Sequence, residues 1–165
     1  MNGASVRAAR REDVPRVWDL LRGLARYERL DHEVTGTPER LAEDLFGARQ
    51  RVECLVAEAE GGLVGYALFY PTYSSFQTAP MVWLEDLYVV PERRGRGDGR
   101  ALLAELSRLA LARGCRRMGW IVLDWNAASI RFYEGLGARR AGADWLQYGF
   151  DEAALAALSA PSRTT

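Results

Sequence analysis

Apolar positions along the chain recur with two periods. From Ser5 to Ala9 they alternate, which predicts a strand; from Glu12 to Tyr27 they fall at Val14, Val17, Leu20, Leu21 and Leu24, the spacing of one helix face. Thr37 followed by Pro38 reads as an N-cap and a first-turn proline, opening a second helix that runs to about Phe46. Arg51 to Glu58 and Leu63 to Tyr70 are β-rich runs on either side of Glu60-Gly61-Gly62 and predict a hairpin. Met81 to Val90 predicts a further strand. It leads through an Arg/Gly loop into a helix from Gly99 to Arg113, with Ala101, Leu102, Leu106, Leu109 and Ala110 turned inward. Beyond it, Met118 to Leu123 predicts a strand, Asn126 and Gly137 bound a short helix, Trp145 to Phe150 predicts a last strand, and Asp151 caps an Ala/Leu helix. Only about the last five residues read as disordered.

Strand, two helices, three strands, helix, strand, helix, strand is an α/β order, with a mixed central sheet and helices on both faces. At 165 residues the chain reads as a single domain, residues 1–165, able to bury about 70% of its unfolded surface. Open sheets bind ligands at strand C-termini where neighbouring strands diverge, which points to Val89 and Val90 beside the fifth strand.

Composition narrows the partners. Lysine is absent, so all 22 basic residues are Arg, and they balance 22 acidic residues to a formal net charge of zero. No global field is available to hold nucleic acid or an anionic membrane, but the four Arg between 93 and 100 form a local positive patch suited to one anion. No run approaches the ~18 apolar residues of a membrane span, and the polar N-terminus predicts a cytoplasmic protein. Cys54 and Cys115, each isolated, fit reduced thiols. His32 is the only histidine and there is no Gly-x-Ser-x-Gly, which argues against a hydrolytic triad and a metal site alike.

The loop reads Arg94-Gly95-Arg96-Gly97-Asp98-Gly99-Arg100. Alternate glycines let successive backbone N–H groups turn toward one point, and the following helix adds the positive end of its dipole there, so a pyrophosphate fits. A Walker loop needs a lysine that the chain lacks, and a dinucleotide fingerprint needs its third glycine one residue later. The pattern that remains resembles the acyl-CoA loop of the Gcn5-related N-acetyltransferases. Asn126-Ala127-Ala128-Ser129, followed by Phe132-Tyr133 and Leu136-Gly137-Ala138, resembles the second signature of the same family. Arg22 to Glu28, Asp44 to Gly47, Cys54 to Glu58, Thr72-Tyr73-Ser74, Leu84-Glu85-Asp86 and Val122 to Asn126 are similar to the diamine acetyltransferases. Within that group the likeness, from about Val6 to Phe150, is greater to the thialysine N-ε-acetyltransferase branch than to the spermidine/spermine branch.

The resemblance implies the GNAT acyl-CoA N-acyltransferase fold, acetyl-CoA as co-substrate, no metal, and a homodimer. It implies acetylation of a small primary amine, a thialysine- or lysine-like amino acid or a short diamine, by direct attack in a ternary complex. Such chemistry needs a free amine lone pair, a stabilised oxyanion and a proton for the departing thiolate. An alkylammonium of pKa ~10.4 must first lose a proton. The resemblance assigns that proton to Glu85, and charge pairing with the cation is the other reading of the same residue. Tyr133 matches the family's proton donor, with a buried aromatic as its other reading. The N–H groups of Leu87, Tyr88 and Val89 would meet the oxyanion, Arg94, Gly95, Arg96, Gly97, Asp98, Gly99 and Arg100 the pyrophosphate, and Asn126, Ala127, Ala128 and Ser129 the pantetheine arm. Trp120 and Ile121 read equally as cleft or core. Tyr27, Glu28, Ser74, Glu85 and Asp86 would contact the amine, with Ser74 standing where the spermidine branch carries Asp, which suits a substrate of fewer positive charges. Asp98 departs from the family's apolar choice. It is expected to cap the long helix through the N–H of Arg100 or Ala101, or to be drawn to a neighbouring Arg, and in either case to oppose a pyrophosphate. Polyamine acetylation, acetylation of a protein or peptide amine, and acyl-CoA binding without catalysis are the alternatives.

Overall fold

The computed structural model describes residues 3–142 and 147–159, and two compact units divide after Ile121. The first contains β1 (Ser5–Ala8), α1 (Val14–Glu28), α2 (Pro38–Phe46), β2 (Glu53–Ala59), β3 (Gly62–Ser74), β4 (Ala79–Val89), α3 (Asp98–Ala112) and β5 (Met118–Gly119). Its strands lie in the order β1-β2-β3-β4-β5. The first four pair antiparallel and β5 joins β4 in parallel, which is the mixed sheet expected.

Strand alternation assigns the two faces. Cys54, Val56, Tyr66, Leu68 and Tyr88 form one buried cluster with Val14, Val17 and Leu20 of α1. Leu55, Ala57, Ala67, Phe69 and Leu84 are buried as well and point to the opposite face. There α3 packs across β1 to β4, turning Leu102, Leu103, Leu106 and Ala110 inward. Gly23 allows α1 its close approach: a Cβ at that position would stand 2.9 Å from the Tyr88 hydroxyl. The expected cap of α2 is present, with Thr37 Oγ1 accepting from the Arg40 N–H at 3.3 Å.

The second unit holds α4 (Ala127–Gly135) and α5 (Glu152–Ser159). Asn126 Oδ1 accepts from the Ser129 N–H at 3.2 Å, and Gly137, at φ 90°, stops the helix. Asp151 caps α5 through the Ala154 N–H at 2.8 Å. Two strand expectations are corrected. The strand expected from Met118 to Leu123 is ordered as β5 over only Met118–Gly119, because its ladder to β4 ends at Trp83. Residues 147–150 carry no strand, while Trp145 and Leu146 of that expected strand, and the terminal residues expected to be disordered, lie outside the described residues. No described helix is long and apolar enough to cross a membrane.

Candidate active site

Consecutive residues of a regular strand point to opposite faces. In the β3–β4 ladder Leu68 opposes Asp86 while the next residue, Phe69, opposes Leu84, so Glu85 is the extra residue of a β-bulge. The bulge brings two neighbouring carboxylates to one place. Glu85 and Asp86 both line a cavity of about 400 Å³, walled by Trp18, Leu21, Leu24 and Glu28 of α1 and by the segment from Glu33 to Gly36. It also marks the point where β4 loses β5, which pairs only with Val82 and Trp83. From Leu84 onward the far edge of β4 has no strand partner among the described residues. The Val90 N–H donates to Val64 O at 2.9 Å, on the β3 side. Alternation therefore turns the Tyr88 N–H toward β3 and those of Leu87 and Val89 toward the open edge.

Charge in the cavity is one-sided. Burial pushes the Asp86 carboxyl up to about 6, the nearby Glu85 and Glu28 charges add to this, and a hydrogen bond from Tyr66 works against it. That bond, from the Tyr66 hydroxyl to Oδ2, is 3.0 Å. Burial also raises the Glu28 carboxyl. A cation bound among these groups would relieve both their desolvation and their mutual repulsion. Glu85 is held differently: Oε2 accepts from Trp83 Nε1 at 3.0 Å and from the Tyr70 hydroxyl at 3.3 Å. Both donors use one oxygen, and among the described residues none bonds Oε1.

A pH dependence follows. An ammonium held by Asp86 needs the ionised carboxylate, so with a carboxyl near 6 the amine KM is expected to rise about tenfold between pH 7 and pH 5. A flat profile across that range would remove Asp86 from the amine site. Because the folded-state value is raised from 3.8 to about 6, the stability held by protonated Asp86 is lost as pH rises from about 4 to about 6, and the full cost persists above that. Asp86→Asn is accordingly expected to raise Tm near pH 8, by less near pH 5, and to leave it almost unchanged below about pH 4.

In the Arg/Gly loop, Gly95 and Gly97 adopt φ of 74° and 91°, values that L side chains disfavour, and Arg94, Arg96 and Arg100 are exposed. The Arg94 guanidinium lies 4.5 Å over the Tyr27 ring and 5.6 Å from that of Tyr88, and its Nε donates to Val89 O at 3.1 Å. Tyr27, expected beside the amine, thus packs on the loop, while Glu28 lines the cavity.

Of the two courses expected for Asp98 the structure shows the pairing with a neighbouring Arg, and Ser74 stands apart from its expected place. Asp98 does not cap α3; Gly97 occupies the N-cap, with no side-chain cap bond. The Asp98 side chain is fully buried and takes bonds from Arg93 Nε at 2.9 Å, Arg93 Nη2 at 3.2 Å and the Ala4 N–H at 3.1 Å. A local cap lost to a charged partner because a guanidinium supplies two bonds where a backbone N–H supplies one. Ser74 opposes Ala79 at the end of the β3–β4 hairpin, where its hydroxyl accepts from the Gln77 N–H at 3.3 Å. Six residues of strand, roughly 20 Å, separate it from the bulge, and it does not line the cavity.

In the second unit Asn126 is buried and Ala127 and Ala128 are exposed. Tyr133 is half-buried, its ring centroid 5.3 Å from that of Phe132. Trp120 is half-buried and Ile121 exposed. Sequence reasoning missed Trp18, Tyr66, Tyr70 and Trp83, and counted Arg93 only in the positive patch. A signal existed for the first, since Trp18, Leu21, Ala25 and Glu28 repeat at helical spacing as a second stripe on α1.

The family model described as Acetyltransferase (GNAT) family matches residues 16–138. Mouse thialysine N-epsilon-acetyltransferase is 36% identical, over 96% of this chain and 99% of that protein. The human spermidine/spermine N(1)-acetyltransferase-like protein 1 is 35% identical over 84% of this chain and 21% of its own length. Among solved structures, an integron cassette protein from V. cholerae superposes with a TM-score of 0.78 at 20% identity, covering 96% of this chain and 98% of that one. Motifs, sheet and relatives converge: the chain belongs to the Gcn5-related N-acetyltransferase (GNAT) family, among its thialysine N-ε-acetyltransferase branch, and is an amine N-acetyltransferase.

Proposed function

We propose that the chain transfers the acetyl group of acetyl-CoA to the terminal amine of thialysine, a lysine-like amino acid or a short diamine, by direct attack within a ternary complex. The reading rests above all on the bulge, which aims Glu85 and Asp86 into one cavity on the strand whose far edge is open. The loop fits a pyrophosphate: a Cβ at Gly95 or Gly97 would meet nothing within 4 Å, so ligand atoms can approach the backbone closely, beside three exposed guanidinium groups.

Acetyl-CoA, when bound, supplies the activated thioester. Asp86 and Glu28 hold the distal ammonium of the amine, and Glu85 takes a proton through Oε1, which frees the lone pair. As the N–C bond forms and the C–S bond breaks, the N–H groups of Leu87 and Val89 stabilise negative charge on the carbonyl oxygen. Tyr133 gives its hydroxyl proton to the sulfur and regains one from the acylated nitrogen, while the proton on Glu85 leaves to solvent. Asn126 to Ser129 carry the pantetheine arm. With Ser74 outside the cavity, selection among amines falls to Asp86 and Glu28. A cytoplasmic homodimer belongs to the same reading.

Ligand-dependent melting tests it. CoA and acetyl-CoA at about 100 times their Kd are expected to stabilise by about 2.7 kcal/mol, with NAD and ATP giving no shift. An equal shift with NAD would refute the acyl-CoA assignment.

A further inference from the structure

The Arg93–Asp98 pair enters none of these steps. We propose that it is a brace that sets the shape of the pyrophosphate loop before the ligand arrives, making Arg93 and Asp98 positioning residues for acetyl-CoA; this rests on the reading of residues 94–100 as the CoA site. The pair spans the loop. Arg93 ends the turn Pro91–Arg93 and Asp98 begins α3, so bonds of 2.9 and 3.2 Å tie the two ends of Arg94-Gly95-Arg96-Gly97. Two glycines give that stretch more conformations to lose than any other residues would, and a tie across it removes part of the ordering cost from ligand binding. The brace is also fixed to the sheet, because Asp98 accepts the Ala4 N–H at 3.1 Å immediately before β1.

Charge supports the same role. An unmatched carboxylate here would repel a pyrophosphate, whereas Arg93 cancels it and leaves Arg94, Arg96 and Arg100 exposed to an anion. Burial pushes the Asp98 carboxyl up, but the Arg93 and Ala4 bonds outweigh burial and hold it below the usual carboxylate range. The pair is therefore intact at neutral pH, and removing one partner would strand a buried charge.

The test uses the full chain and two readouts: amide hydrogen exchange without ligand at Arg94 and Ala101, whose N–H groups bond Pro91 O at 3.2 Å and Gly97 O at 2.9 Å at the two ends of the loop, and CoA affinity by calorimetry. Asp98→Asn is expected to speed exchange about tenfold and to weaken CoA about tenfold, with the amine KM unchanged. In an Arg93→Met background the same change is expected to slow exchange, because it neutralises a stranded carboxylate. Unchanged exchange in Asp98→Asn, faster exchange in the Arg93→Met background, or wild-type CoA affinity in Asp98→Asn would each overturn the brace. Failure of the wild-type chain to bind CoA would instead overturn the loop's assignment, and the positioning role with it. Should Asp98→Asn not fold, Ala4→Pro removes only the backbone bond and is expected to move both readouts about threefold; no movement overturns the proposal.

Discussion

Replacing Tyr133 by Phe is expected to lower kcat by about a hundredfold or more while leaving the KM for acetyl-CoA nearly unchanged. The substitution deletes one oxygen and keeps the ring, so the packing against Phe132 at 5.3 Å survives, as do the Asn126 cap and the Gly137 stop that bound α4. What is lost is the hydroxyl to which the proposed mechanism assigns protonation of the departing thiolate. Without it, the sulfur must leave as the free anion or wait for water. Steady-state kinetics on the purified variant, with Tm as the control for folding, separate the two readings of this residue. Wild-type turnover would return Tyr133 to a purely structural part.

Glu85→Gln is expected to lower kcat/KM by about two orders of magnitude near neutral pH and by much less near pH 10, where a substantial fraction of the amine is already unprotonated. Glutamine keeps an oxygen for Trp83 Nε1 and the Tyr70 hydroxyl, which hold Oε2 at 3.0 and 3.3 Å. Geometry is preserved, so the variant reports on charge and basicity. The quantity to compare is the ratio of variant to wild type at each pH, in which ionisations common to both proteins cancel. A deficit that stays constant with pH would make Glu85 a partner for the cation and not its base.

Local signals accounted for most of the fold. Thr37, Asn126 and Asp151 each act on a backbone group three residues away, and such caps are legible because donor and acceptor are close in sequence. The bulge was not legible, since Glu85 becomes an extra residue only against the register that β3 imposes. Asp98 shows the same limit more sharply. One of its three bonds comes from Ala4, 94 residues earlier, so its burial could not be read from the loop, although the pull of a neighbouring Arg could. Residues 147–150, the described part of the strand expected from Trp145 to Phe150, pair with no described strand, and β-propensity without a ladder makes no strand. Tyr27 and Ser74 were placed by resemblance. The structure puts Tyr27 under Arg94 and Ser74 at a hairpin end, while Glu28, Glu85 and Asp86 line one cavity.

Thiol release from acetyl-CoA, followed with thialysine, lysine, putrescine, spermidine and a lysine-containing peptide in turn, tests the proposed activity most directly. The expected result is stoichiometric thiol and N-acetylated product with thialysine or lysine, at a kcat/KM above that for spermidine and far above that for the peptide. No thiol release with any amine would contradict the catalytic reading of Glu85 and Tyr133, and a tenfold advantage for spermidine or the peptide would contradict the proposed substrate.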